Sequence, residues 1–273
     1  MTYTKADDLA LALTLADLAD AISLDRYQAL DLIITTKPDN TPVTDADKST
    51  EDAIRRALAI ARPDDGVVGE EFGDQDKNSP RYWVIDPIDG TKNFLRGVPT
   101  WATLIALVER QINSEGLEVE KVIVGVASAP ALYRRWYASE GAGAFVTENN
   151  GAPKKISVSG VAKISDASIA YSDFIGWGDR LEPFRAMMAS AWRTRGMGDF
   201  WSHMLVAEGA VDIAIEPTLA LWDMAALDII VREAGGAFSS TAGVGGPHEG
   251  SAVSTNAILH QLVISTLNAE VVR

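Results

Sequence analysis

Trp83-Val84-Ile85-Asp86-Pro87-Ile88-Asp89-Gly90-Thr91-Lys92-Asn93-Phe94 carries an apolar, strand-like run into two carboxylates three residues apart and then into a Gly-Thr turn. Hard divalent cations such as Mg²⁺ take oxygen ligands, usually one or two carboxylates together with a substrate phosphate. Asp86 and Asp89 supply the carboxylates, Pro87 fixes one backbone angle between them, and the Ile88 carbonyl can serve as a further oxygen. Gly90 lets the backbone approach a ligand, and amides exposed at such a turn favour anions. Metal and phosphate can then meet in one place, as phosphoryl chemistry requires. Taken alone, Asp89-Gly90 is an ordinary turn, so other segments must decide.

The rest of the composition narrows the class. The chain has 273 residues, 47% of them hydrophobic, enough for one large or two small domains with a sizeable core. A net charge of −14 argues against a nucleic-acid or anionic-membrane surface, both of which need basic patches. It does not exclude a phosphorylated substrate, because a bound cation inverts the local charge. With no cysteine, disulfides, thiolate zinc sites and cysteine nucleophiles are excluded. The polar, acidic N-terminal segment is unlike a signal peptide, and no apolar run reaches membrane-span length, so a cytoplasmic enzyme is the expectation.

Thr4 with Asp7 resembles a capping box, and Leu9, Leu13 and Ala16 then follow helical spacing, predicting a helix to about Leu24. Lys37 to Pro42 is rich in turn residues, and Thr44 can cap a helix from Asp45 to Ala61, stopped by Pro63. Strands are expected at 67–70, 82–86, 101–108, 122–128, 134–138 and 144–146, which together suggest an antiparallel sheet. Beyond them the pattern changes to alternation: strand at 168–171, helices at 181–192 and 201–208, strand at 211–215, and an apolar helix at 222–234 stopped by Gly235-Gly236. A last helix, capped by Asn256, runs to Leu267. The expected division is an N-terminal α+β half, residues 1–160, and an α/β half, residues 161–273, that completes the site. The tryptophans at 101, 136, 192, 201 and 222 read as core. Trp177, on a loop between Gly176 and Gly178, is the one candidate to stack on a ligand. His203, His248 and His260 lack metal-ligand spacing and read as structural or surface residues.

Three ordered segments resemble the inositol monophosphatase family: Gly69-Glu70-Glu71, the Asp86 to Thr91 motif, and Trp222-Asp223-Met224-Ala225-Ala226 running on to Glu233-Ala234-Gly235-Gly236. Pro42 to Asp47 extends the likeness over most of the chain. Separately, each has an ordinary reading: Glu70-Glu71 as a solvated pair, Thr44 to Asp47 as a helix start, Asp223 as an N-terminal helix residue. Their joint occurrence reverses that. The resemblance implies an α/β layered fold, an alternating α-β-α-β-α sandwich. It implies hydrolysis of a small phosphate monoester with two or three Mg²⁺ ions, sensitivity to lithium, and a homodimer. It assigns Glu70, Asp86, the Ile88 carbonyl, Asp89 and Asp223 to the metals, with Asp86 bridging. Asp47 and Thr91 would take a proton from the attacking water, and the amides of Gly90 and Thr91 would hold phosphate oxygens.

Within that family, Asn93 to Trp101, Gly196 to Trp201 and Val206 to Pro217 look most like the histidinol-phosphate phosphatases of histidine biosynthesis. Histidinol phosphate carries an ammonium group and an imidazole, and Asp199 and Glu216 could accept charge-assisted hydrogen bonds from them. Asp199 could equally cap the helix that follows. The alternatives are an inositol or other polyol monophosphatase, a nucleotide 3′-phosphatase, and a non-catalytic metal-binding regulator.

Overall fold

The computed structural model describes residues 3–37, 41–76 and 78–269. The chain opens with α1 (Lys5–Arg26), a short hairpin of β1 (Ile34–Thr36) and β2 (Pro42–Thr44), and α2 (Asp45–Ala61). The first sheet follows: β3 (Gly66–Gly69), β4 (Gly73–Gln75), β5 (Arg81–Asp89), then the one-turn α3 (Thr91–Leu95), β6 (Ala102–Ile112), β7 (Glu118–Ala129), β8 (Arg134–Ser139), β9 (Gly143–Glu148) and β10 (Lys154–Lys155). The second half runs β11 (Ser168–Tyr171), α4 (Leu181–Ser190), β12 (Arg193–Gly196), α5 (Asp199–Ala207), β13 (Ile213–Glu216), α6 (Leu221–Glu233), β14 (Ala237–Ser239), β15 (Ala252–Thr255) and α7 (His260–Leu267).

Eight strands form the large sheet in the order β10-β9-β8-β7-β6-β5-β3-β4, antiparallel except where β3 runs parallel to β5. Five form the small one in the order β12-β11-β13-β15-β14, with β11 parallel to both its neighbours. Period-two alternation sorts the large sheet into two faces. On β5, Trp83 and Ile85 pack with α1 and α2, while Tyr82 and Val84 face α5 and α6. A bulge between Leu107 and Val108 makes Ile123 an extra residue on β7 and shifts its face assignment there. The small sheet packs Ala170 and Ala214 against α5 and buries Ile169, Ile213 and Val253 against α4 and α7. The layers are therefore α-β-α-β-α.

The predicted capping box at Thr4 forms, and the predicted cap Thr44 proves to be one half of a second box, with Asp47. Thr4 N donates to Asp7 Oδ2 at 2.9 Å, and Thr44 N donates to Asp47 Oδ2 at 2.8 Å. Expectations at five residues need correction. Trp192 lies past the end of α4 and is 68% exposed. Trp201 and Trp222 are only partly buried. Trp177 is buried, stacked on Phe184 at 3.6 Å with its Nε1 donating to Asp173 O, so it packs in the core and is not a ligand platform. Asn256 sits a turn before α7: its Oδ1 accepts from Leu259 N at 3.1 Å, and Leu259 is the capping position. The turn-rich segment at 37–42 closes the β1–β2 hairpin through Lys37 N to Thr41 O, with residues 38–40 lying outside the described residues.

Candidate active site

The end of β5, the N-termini of α5 and α6, and the ends of β11 and β13 converge on a cavity of about 330 Å³. Its wall includes Glu70, Asp86, Ile88, Asp89, Gly90, Thr91, Asp199, Glu216 and Asp223. Every residue given a metal, catalytic, phosphate or substrate role from sequence reaches this wall except Asp47, which is buried directly behind Thr91.

β5 ends in a distortion. Its register with β6 shifts between Asp86 and Asp89, and Ile88 N turns back to donate to Asp86 Oδ1 at 3.0 Å. Gly90 then adopts a φ of +84°, the left-handed region, where a side chain would be strained and would press on Thr100 O. These local features bring Asp86 and Asp89 to one side. Asp223, three residues into α6, accepts from Ala220 N at 2.7 Å, and Phe200 N at the start of α5 donates to Asp89 Oδ2 at 2.7 Å. One oxygen from each of Asp86, Asp89 and Asp223 lies within 4.8 Å of the others. None of the three is in an ion pair among the described residues. Burial, then Glu70 and its two carboxylate neighbours, holds the Asp86 carboxyl well above the ordinary range. Burial, then Asp199 and Asp223, does the same to Asp89. Burial, then the Glu70 charge, raises Asp223 to about 6 against the Ala220 bond.

This arrangement of like charges without a counter-ion is costly as it stands and is what a divalent cation would offset. The donors are all hard oxygens, the set that suits such an ion. Glu70 stands at the edge of the cluster and is paired with Lys37 Nζ at 2.6 Å, which also reaches Glu71.

Thr91 Oγ1 lies 3.1 Å from the Ile88 carbonyl and 3.4 Å from Asp47 Oδ1. Asp47 Oδ2 is held by Thr44 N and, at 2.5 Å, by Thr44 Oγ1. Burial, opposed by these Thr44 bonds and assisted by the Glu70 charge, puts the Asp47 carboxyl at about 6. The helix cap and the candidate proton acceptor are the same residue.

A second acidic pair, Asp199 and Glu216, lines the same cavity beside the first, since Phe200, the residue after Asp199, bonds Asp89. Asp199 has a φ of +52° and is not a side-chain cap, since Gly198 occupies that position. Its Oδ2 accepts from Asn93 Nδ2 at 2.9 Å, and its amide donates to Ser172 Oγ at 3.2 Å. Ser172 Oγ donates in turn to Glu216 Oε1 at 2.7 Å. Burial, followed by the Asp199 and Asp173 charges, pushes Glu216 up to about 8. Burial raises Asp199 to about 6, with Lys92 pulling the other way.

Sequence reasoning missed Ser172, Lys92, Thr218 and His203 on the wall. His203 shares a face of α5 with Asp199, four residues earlier; that spacing was the available signal. It is buried, its Nδ1 is 2.7 Å from Ser254 Oγ, and burial pulls it down to about 4, so it is neutral.

The model of the inositol monophosphatase family matches residues 6–271. The chain belongs to that family. It is 54% identical over 265 residues to the histidinol-phosphatase of Mycobacterium tuberculosis, covering 96% of this chain and 98% of that one. To the histidinol-phosphatase of Streptomyces coelicolor it is 53% identical, covering 96% and 97%. Among solved structures, an inositol monophosphatase from Zymomonas mobilis aligns with a TM-score of 0.82 at 29% identity, over 98% of this chain and all of that one. The family and these relatives make the chain a hydrolase of phosphoric monoesters that acts on a small phosphorylated substrate and uses a divalent metal. Among the described residues, no helix is long and apolar enough to cross a membrane.

Proposed function

We propose that this family member hydrolyses histidinol phosphate to histidinol and phosphate. The carrying observation is that two acidic groups line one cavity: Asp86, Asp89 and Asp223, and beside them Asp199 and Glu216. A neutral polyol would leave Asp199 and Glu216, which accept only from the uncharged Asn93 and Ser172, without a bonded cation to offset their burial. A substrate bearing an ammonium group and an imidazole supplies one. The names of the two relatives above, at 54% and 53% identity, support the same substrate.

In this reading Glu70, Asp86, Asp89, Asp223 and the Ile88 carbonyl would hold two or three Mg²⁺ ions. Bound there, the metal would neutralise phosphate charge and lower the pKa of water. Thr91 Oγ1 would accept a proton from the attacking water while passing its own to Asp47 Oδ1. The amides of Gly90 and Thr91 would hold phosphate oxygens, since the first N–H groups of a helix have no partner within it. Asp199 and Glu216 would orient the amino alcohol. Residues 1–160 would thus carry most metal ligands and residues 161–273 the specificity groups. We further propose a homodimer working in the cytoplasm, as part of histidine biosynthesis. Sedimentation at micromolar concentration tests the dimer.

The deciding experiment measures phosphate release from histidinol phosphate, inositol 1-phosphate and a nucleotide 3′-phosphate under one set of Mg²⁺ conditions. Histidinol phosphate should give the highest kcat/KM. Equal turnover of inositol 1-phosphate would defeat the substrate assignment and leave the phosphatase assignment standing.

A further inference from the structure

We propose that Glu51 is a positioning residue that sets the metal affinity of the site by fixing the backbone on which Glu70 rides. Glu51 lies one turn after Asp47 on α2 and its side chain is wholly buried. A buried carboxylate needs compensation, and this one finds it in the turn that carries Glu70. Glu51 Oε2 accepts from Glu71 N at 2.7 Å and Oε1 from Phe72 N at 3.2 Å. The cation on it is Arg55, one turn further along α2, whose Nε is 2.7 Å from Oε1. Arg55 also reaches the Gly73 carbonyl at the far side of the same turn. The fit is tight: a Cβ on Gly69 would come within 2.1 Å of Glu51 Oε1.

Asp47, Glu51 and Arg55 therefore form an i, i+4 stripe along one helix face. The first member meets Thr91, and the other two hold the 69–73 turn. Glu70 itself has little local support. Its amide donates to Ile85 O at 3.2 Å, and its carboxylate meets Lys37, which lies in the hairpin. A ligand on a turn holds its geometry only if the turn is held, and residues behind metal ligands commonly matter 10- to 100-fold in affinity or activity. α2 supplies that support and spaces Glu70 against the Asp47–Thr91 pair.

The inference rests on Glu70 being a metal ligand, so the test measures both. Mg²⁺ binding to the metal-free full chain is followed by calorimetry for wild type, Glu70→Gln, Glu51→Gln and Arg55→Ala, with melting temperatures alongside. Glutamine at 51 turns an amide N–H₂ toward one of the two backbone donors and cannot keep both bonds. Glu51→Gln should weaken Mg²⁺ binding by roughly 10- to 100-fold, with kcat at saturating Mg²⁺ falling much less than kcat at low Mg²⁺. Arg55→Ala should weaken binding several-fold in the same direction, and it carries the test if Glu51→Gln does not fold. If Glu70→Gln binds Mg²⁺ as wild type does, the metal-ligand reading and this inference both fall. If Glu70→Gln weakens binding while Glu51→Gln or Arg55→Ala lowers only the melting temperature, the positioning role alone is overturned.

Discussion

The two acidic groups of the cavity have similar chemistry and differ in what holds them. Asp86 and Asp89 end β5 and Asp223 lies in the first turn of α6, and each accepts a backbone amide, the one on Asp89 coming from Phe200. Asp199 and Glu216 are held by side chains from distant parts of the chain, Asn93 and Ser172. Asp199 also takes a left-handed backbone conformation that costs a non-glycine residue energy. Such strain is tolerated where surrounding structure fixes it, and here the carboxylate, in the cavity wall, is turned toward Asn93. The first group is held by backbone amides, which a side-chain change does not remove; the second is held by two side chains, each of which a single substitution removes.

The comparison breaks first at Asp86. In the proposed metal site Asp86→Asn removes a ligand charge, a loss of several kcal/mol in the transition state, so kcat should fall roughly 1,000-fold or more. Chelation with EDTA should stop phosphate release from the wild type and Mg²⁺ should restore it; undiminished activity in chelated enzyme would remove the metal side altogether. Next come Asp47→Asn and Thr91→Ala, each expected to cost about 10²- to 10⁴-fold in kcat as partners in one proton transfer. Groups acting as a unit give non-additive losses. The double variant should be little worse than the poorer single one, and multiplying losses would separate the two residues.

A change in the second group should be smaller and selective. Asp199→Asn keeps a residue that tolerates the left-handed backbone and removes only the charge. Losing one charged hydrogen bond costs about 1.5–3 kcal/mol, so kcat/KM for histidinol phosphate should drop roughly 10- to 150-fold. Turnover of inositol 1-phosphate should scarcely change. Equal slowing of both substrates would show that Asp199 supports the Gly90 turn through Asn93 and does not select the alcohol.

The smallest effect is on stability, and its sign is fixed by burial. Asp47, Asp199 and Asp223 are raised to about 6 and Glu216 to about 8, while carboxylates in the unfolded chain titrate near 4. Between those values the metal-free folded state binds more protons than the unfolded state, so its stability falls as pH rises through the window from about 4 to about 8. Thermal melts of chelated enzyme should therefore shift down by a few degrees from pH 5 to pH 8. Mg²⁺ binds the deprotonated groups and should raise the melting temperature more at pH 8 than at pH 5. A chelated enzyme that grows more stable over that range would contradict the burial of these groups as anions.

Much of the metal side was legible in order along the chain. The Asp86-x-x-Asp89-Gly90-Thr91 run carries its own turn, the Thr44–Asp47 box starts its own helix, and the alternation on β5 gives both its faces. These are short-range facts, set by residues within a few positions of one another. By itself, then, the sequence determined the family, the layered fold class and the identity of the carboxylates. The tertiary structure alone decided what those residues meet. It brought Asp223 to Asp86, set Lys37 on Glu70 from a hairpin that reads only as turn residues, and placed Glu51 behind Glu71. It buried Trp177 on Phe184 and left Trp192 exposed, although the local signals of the two pointed the other way. It found β12, β14 and β15, short strands among basic, glycine-rich and serine-rich stretches that pair only because a neighbour offers an edge. Strand pairing and side-chain burial depend on partners far away in the chain, whereas capping, turn chemistry and hydrophobic period are written within a single turn of it.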